Sequence, residues 1–273
     1  MRLPRVLWHV ASTLAQLRTR FHLLRLRRSV SKKAPGSVVD CLDYKVLINH
    51  GLNFYVLYKD IFIKRIYHFE TVNPAPFILD CGSNIGISIL YFKHLYPAAR
   101  ILGFEPDPAI YPYTENNVLQ NNLSDVRLVH AALAGEESTL TLCSDGSFGS
   151  CLADHAPAEI PAGWMRYEVP SVRLRDYLTE SVDFLKINIE GAEWEVLADS
   201  AEELRHVSEM VIEYHHLPGL PRTLHKILEL LDRQGFEYLI NDFDSETNSG
   251  VRPPFRLESD CRYFLLIYAK RIN

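Results

Sequence analysis

Two stretches of this chain place acids, amides and glycines where apolar runs end. Phe77-Ile78-Leu79 leads into Asp80-Cys81-Gly82-Ser83-Asn84-Ile85-Gly86, the order of a strand, a tight turn and the start of a helix. A dinucleotide would need a glycine at the position of Asn84, so that the backbone could touch a pyrophosphate, and Asp80 would repel the diphosphate. A cationic ligand without phosphate suits the turn better. S-adenosylmethionine, with a sulfonium and an ammonium, is such a ligand. On this reading Gly82, Asn84 and Gly86 shape the turn, and Asp80 attracts the ammonium directly or through water. The next apolar run, Ile101-Leu102-Gly103-Phe104, ends in Glu105, 19 residues after Gly86, where a carboxylate can hold a ribose diol. The plain alternative for the first stretch is a tight turn of any α/β domain.

The second chemical cluster follows Phe184-Leu185-Lys186-Ile187. Asn188 and Glu190 lie two apart and face one side if strand geometry persists, and Glu193 stands in the first turn of the next helix, where an acid also has an ordinary capping role. A further run ends Glu213-Tyr214-His215-His216. A histidine at the carboxyl edge of a sheet can accept a proton near neutral pH, so His215 is the candidate base, with Glu190 or Glu213 orienting it or the acceptor. A pair of surface-loop histidines is the other reading.

These residues need a scaffold that brings strand ends together. From Phe77 onward strand and helix patterns alternate, as in a parallel sheet covered by helices. The spacing predicts strands at 77–81, 100–105, 126–131, 183–189, 209–214, 236–241 and 262–269, and helices at 85–96, 108–122, 191–204 and 222–234, the second opened by Asp107 and Pro108. The last strand follows a Pro-rich loop with no helix before it and so is expected to run antiparallel. A long insertion, 138–176, carries Phe148, Trp164, Met165 and Tyr167 and reads either as a substrate-facing lid or as a hairpin on the sheet edge. Upstream, Tyr44–Ile48 and Phe54–Tyr58 alternate around Asn49-His50-Gly51, which predicts a hairpin over 44–58.

Charge divides the chain unevenly. Nine of its 29 Lys and Arg, and none of its 34 Asp and Glu, lie in residues 1–39, leaving 20 basic against 34 acidic residues in the remainder. An acidic body does not suit a nucleic-acid backbone. Leu3, Leu7, Val10, Leu14, Leu17, Phe21 and Leu24 recur by four and three, predicting a basic amphipathic helix with its linker over 1–36 and a catalytic domain over 37–273. Peripheral contact of residues 1–30 with an anionic membrane is expected of such a helix; docking on the acidic body and an organelle-targeting presequence are the alternatives. No run of 18 apolar residues, the length needed to span a bilayer, occurs in the sequence. The five cysteines are scattered with no Cys-x-x-Cys pair, so neither a disulfide framework nor a zinc site is predicted, and a cytoplasmic setting is expected.

Taken in order, Asp80-Cys81-Gly82-Ser83-Asn84-Ile85-Gly86, Gly103-Phe104-Glu105-Pro106-Asp107-Pro108, Asn116-Asn117 with Asn121-Asn122, Phe184–Glu193 and Glu213-Tyr214-His215 resemble the FkbM family of S-adenosylmethionine-dependent methyltransferases over roughly residues 77–240. The resemblance implies a Rossmann-like class I methyltransferase fold, a mostly parallel seven-stranded sheet with one late antiparallel strand. It also implies methyl transfer to a hydroxyl of a sugar, glycan or secondary metabolite, so the expected partner is a small-molecule or glycan acceptor. The family commonly has Lys-Ile-Asp where this chain has Lys186-Ile187-Asn188. An amide cannot act as a base and ligates metal poorly, so a divalent metal on Glu190, Glu193 and His215 is only a secondary expectation. Asn188 is retained as a cofactor-binding residue. Two rival functions remain: a nicotinamide-dependent oxidoreductase on the same sheet, and an S-adenosylmethionine-binding module without activity.

Overall fold

A computed structural model describes residues 5–147, 149–153, 162–217, 219–242 and 263–272, with side chains from residue 17 onward. The chain forms two compact units, Met1–Ile66 and Tyr67–Asn273.

In the first unit a long helix α1 (Arg5–Val30) precedes strands β1 (Ser37–Cys41) and β2 (Tyr44–Ile48), which pair antiparallel from Ser37 with Ile48 to Cys41 with Tyr44. The hairpin therefore lies upstream of the predicted one. Phe54–Tyr58 is not a strand but part of helix α2 (Gly51–Tyr58), which continues into a π-helical turn over Lys59–Ile63. The physical reason is the period: Phe54 and Tyr58 are both buried and four apart, which places them on one helical face. Gly51 is needed at the helix start, since a Cβ there would lie 1.8 Å from the carbonyl oxygen of Val30.

The second unit is built on a seven-stranded sheet. Its strands are β3 (Phe77–Cys81), β4 (Arg100–Phe104), β5 (Val126–Val129), β10 (Val182–Ile187), β11 (Val207–His216), β12 (Phe236–Asp242) and β13 (Tyr263–Arg271), in the order β12-β13-β11-β10-β3-β4-β5. β13 runs antiparallel to both β11 and β12, while the pairs from β11 to β5 are parallel. This is the class I methyltransferase arrangement that the sequence implied. Helices α3 (Ile87–Leu95) and α4 (Tyr111–Gln120) follow β3 and β4; α5 (Glu193–Asp199) and α6 (Leu224–Arg233) follow β10 and β11. Because strand order reverses between β3 and β10, right-handed crossovers send the two helix pairs to opposite faces, and a crevice opens where the carboxyl ends of β3 and β10 diverge.

Strand cores are buried on both faces. Leu79, Leu185, Ile187 and Ile212 are fully closed to solvent and share one cluster with Val196 and Leu197 of α5 and Ile227 and Leu231 of α6. The insertion after β5 is a second, four-stranded sheet of β6 (Ala132–Leu133), β7 (Thr139–Ser144), β8 (Ser150–Leu152) and β9 (Met165–Val172), in the order β6-β9-β7-β8. Phe148 and the Pro-rich loop before β13 lie outside the described residues.

Candidate active site

The turn after β3 has a backbone that few residue types tolerate. Gly82, Asn84 and Gly86 have φ of 87°, 48° and 82°, a left-handed conformation open to glycine and, at lower cost than for most side chains, to asparagine. Gly82 has a further constraint, because a Cβ on it would sit 1.8 Å from the carbonyl oxygen of Asn188. The turn is braced from two sides. The N–H groups of Gly82 and Ser83 donate to the carbonyl of Phe104 at the end of β4 (3.0 and 2.8 Å). From α4, Asn117 Nδ2 donates to the Ile85 carbonyl at 2.8 Å and the Thr114 hydroxyl donates to that of Asn84.

Glu105, one residue past β4, accepts the Asn84 N–H at 2.7 Å on Oε2 and the Asp107 N–H at 3.0 Å on Oε1. Each oxygen keeps lone-pair capacity for one further donor. Burial pushes its pKa up to about 7, against the lowering effect of those two backbone donors. Asp107 is itself a junction. Its carboxylate accepts the Ala109 N–H at 2.8 Å and the hydroxyls of Ser144 and Ser150, the latter at 2.7 Å, so the insertion sheet is clasped to the loop that positions Glu105. Regular helix starts at Tyr111 rather than at Pro108, since Asp107 caps a separate turn first.

Asp80 stands apart from the role expected of it. It is fully buried, its Oδ1 lies 3.1 Å from Lys186 Nζ, and its Oδ2 accepts the Ser88 hydroxyl at 2.5 Å. The carboxylate is compensated inside the protein, so direct attraction of a ligand ammonium is replaced by support of the turn. Lys186 Nζ also donates to the carbonyls of Gly82 (2.5 Å) and Cys81 (3.2 Å). No role for Lys186 follows from its type and spacing alone. The available signal was a charge inside an apolar strand, matched by an acid at the same level of the neighbouring one.

At the end of β10 a second left-handed pair, Glu190 (φ 54°) and Gly191 (φ 107°), turns the chain toward α5. A glutamate held there stores on the order of 1–3 kcal/mol of backbone strain, a cost met mainly where a side chain must be aimed. Glu190 Oε2 is 3.6 Å from His215 Nε2, and His215 Nδ1 donates to Glu193 Oε1 at 2.9 Å. Glu193 also accepts the Gly191 N–H at 3.0 Å, so its turn-closing and histidine-holding roles coincide. Burial alone would lower the pKa of His215; the carboxylates of Glu190, Glu193 and Glu213 outweigh it and hold the imidazole up to about 10. Carboxylates at both ring nitrogens favour the imidazolium form of His215, which weighs against the role of base expected for it. Both ring nitrogens face carboxylates, so the donor set that would hold a metal is already engaged, and no metal-binding group of three or more His, Cys, Asp or Glu occurs among the described residues.

Glu213 lies deeper, accepting the Tyr67 hydroxyl and, at 2.9 Å, the Asn188 amide. Burial pushes its pKa up to about 7, against the Lys186 ammonium and the His215 imidazolium. The Asn188 Oδ1 atom is buried and has no hydrogen-bond partner.

A cavity at the carboxyl edge connects these groups. One wall is Gly82, Asn84 and Glu105; the opposite wall is Asn188, Ile189 and Glu190. Phe104, Ala131, Leu133 and Leu142 supply apolar surface, and Ser150, Cys151 and Leu152 of the insertion close one side. Of the predicted residues, Gly82, Asn84, Glu105, Asn188 and Glu190 meet in this cavity. Asp80, Glu213 and His215 stand behind its walls, and Gly86 shapes the turn.

Residues 80–238 match the family model described as the methyltransferase FkbM domain. Methyltransferase sdnD of Sordaria araneosa is 30% identical over 222 residues, covering 70% of this chain and 85% of its own. The 31-O-demethyl-FK506 methyltransferase FkbM of Streptomyces tacrolimicus is 26% identical, covering 66% of this chain and 80% of its own. The 2-O-methyltransferase NoeI of Sinorhizobium fredii is 27% identical, covering 52% and 64%.

Proposed function

Because the chain belongs to the FkbM methyltransferase family and is a methyltransferase, we propose that it transfers a methyl group from S-adenosylmethionine to a hydroxyl of a sugar, glycan or secondary metabolite. The observation that carries this reading is the cavity between the Gly82–Asn84 turn with Glu105 and the Asn188–Glu190 wall. Two features fit the donor. Glu105 has one free acceptor site on each oxygen for a pair of vicinal hydroxyls, and the unpartnered Asn188 Oδ1 can accept from an ammonium. When bound, the sulfonium supplies an electrophilic methyl carbon for in-line displacement by the acceptor oxygen. Two relatives carry O-methyl transfer in their names, which supports oxygen as the acceptor atom.

The chain's own part is orientation and proton handling. Glu190, 39% exposed at its side chain and lining the cavity, takes the proton of the acceptor hydroxyl. His215 is a positioning residue whose ring stands between Glu190 and Glu193 and holds both in place. Holding nucleophile and methyl in line contributes up to about 7–11 kcal/mol in favourable cases, and the base a further 10²–10⁴-fold, roughly. Screening radiolabelled methyl transfer over hydroxylated glycans and small metabolites tests the reading. Binding of NAD with none of S-adenosylmethionine would overturn it.

A further inference from the structure

The second half of α1 carries two apolar faces, only one of which is packed. Leu23, Leu26 and Val30 are half-buried or buried, and on that side of the unit His22 Nε2 meets the Tyr58 hydroxyl of α2 at 3.1 Å. On the far side Leu17, Phe21 and Leu24 are 43%, 66% and 52% exposed. At about 100° per residue these three fall within roughly 60° of one another, opposite the packed face. Arg20 and Arg27 flank them on one side, Arg18 and Arg25 on the other, and Arg28 continues the row; all five are exposed. No acid occurs anywhere in residues 1–39.

From this arrangement we infer that α1 is a membrane-surface element, which lays Leu17, Phe21 and Leu24 among the acyl chains of an anionic bilayer while the flanking arginines meet lipid phosphates. Charge decides the occupant. A second copy of α1 would bring five arginines against five with no acid to pair them, which opposes self-association. An RNA backbone would satisfy the arginines but leave the exposed leucines and phenylalanine in water. An anionic bilayer satisfies both: apolar burial and attraction to anionic headgroups add for a helix of this pattern. The helix lies on the surface rather than crossing, because no helix among the described residues is long and apolar enough to span. Methyl transfer would then take place beside a lipid surface.

The test is co-sedimentation of the full chain with phosphatidylcholine vesicles, with and without phosphatidylglycerol, at low and high salt. Binding is expected only with phosphatidylglycerol and is expected to weaken with salt. Phe21→Ser/Leu24→Ser should weaken it at least about tenfold, and Arg18→Gln/Arg25→Gln by roughly thirtyfold at low salt. Circular dichroism and methyl transfer in solution should match the unsubstituted chain, since these side chains are exposed; each variant also tests the inference without the other. Binding unaffected by both variants, no binding to anionic vesicles, or binding of an oligoribonucleotide in place of vesicles would overturn it.

Discussion

Lys186 and Asp80 stand opposite each other in register on adjacent strands, with 3.1 Å between Nζ and Oδ1 in a place closed to water. The pair connects the two halves of the active site, because the same ammonium is bonded to the carbonyl oxygens of Cys81 and Gly82. Lys186→Met is expected to destabilise the protein by about 3–5 kcal/mol, since it strands a buried carboxylate. Denaturant titration measures this. A loss under 1 kcal/mol would show that Asp80 is neutral without its partner.

Glu105→Ala should weaken S-adenosylmethionine binding by about 1.5–3 kcal/mol through loss of charge-assisted hydrogen bonds. Calorimetry across pH supplies a second check. The carboxylate form accepts the diol, and the ligand-free pKa is held up to about 7, so affinity should fall about tenfold per pH unit below that point and level off above it. A flat profile would remove Glu105 from the ribose site.

Glu190→Gln is expected to lower kcat by roughly 10²–10⁴-fold while leaving donor affinity within about threefold, because a base acts in the transition state. Unchanged turnover would exclude Glu190 as the proton acceptor.

For His215 the folded-state pKa is raised from 6.5 to about 10. Its stabilising contribution is therefore fully present below the unfolded value and lost as pH rises through about 10. Chemical denaturation of the native chain and of His215→Ala should show a stability difference that shrinks over that window. Carbon NMR of the imidazole should report it protonated at pH 8. A neutral ring at that pH would restore His215 as a candidate base.

Asn188→Asp would set a second carboxylate against Glu213, where an amide now donates at 2.9 Å. Glu213 is already raised from 4.5 to about 7, so its ionisation costs stability as pH rises through that value. The substitution should leave stability near pH 5 little changed and reduce it by about 1–3 kcal/mol at pH 8. Equal stability at pH 8 would mean that a proton bridges the two acids at little cost.

Much of the architecture was legible because its signals are local. Apolar runs such as Ile78-Leu79 and Leu185-Ile187 end in polar turns, and all seven strands of the main sheet fall where those runs lie. Element starts were less so. Helix α3 begins at Ile87 rather than near Ile85, because the left-handed residues Asn84 and Gly86 delay it; the hairpin was misplaced because a buried Phe54–Tyr58 pair mimics alternation over so short a run. At the site, Glu105 and Glu190 could be found from their positions after strands. The pairing of Asp80 with Lys186 and the carboxylates set around His215 could not, since both depend on groups over 20 residues apart in sequence.

The position of β13 bears on how the chain assembles. Among the described residues β12 has its sheet neighbour only in β13, and β13 is inserted between β12 and β11. During synthesis β11 and β12 both emerge before the strand that joins them, leaving the long β11 edge, with Val211 and Ile212 wholly apolar and buried in the native state, without a hydrogen-bonded neighbour on that side. Closure of the sheet is thus a late, non-local event, slow by topology. The interval before it is when a nascent chain is most open to edge-to-edge association with another copy or to capture by a chaperone.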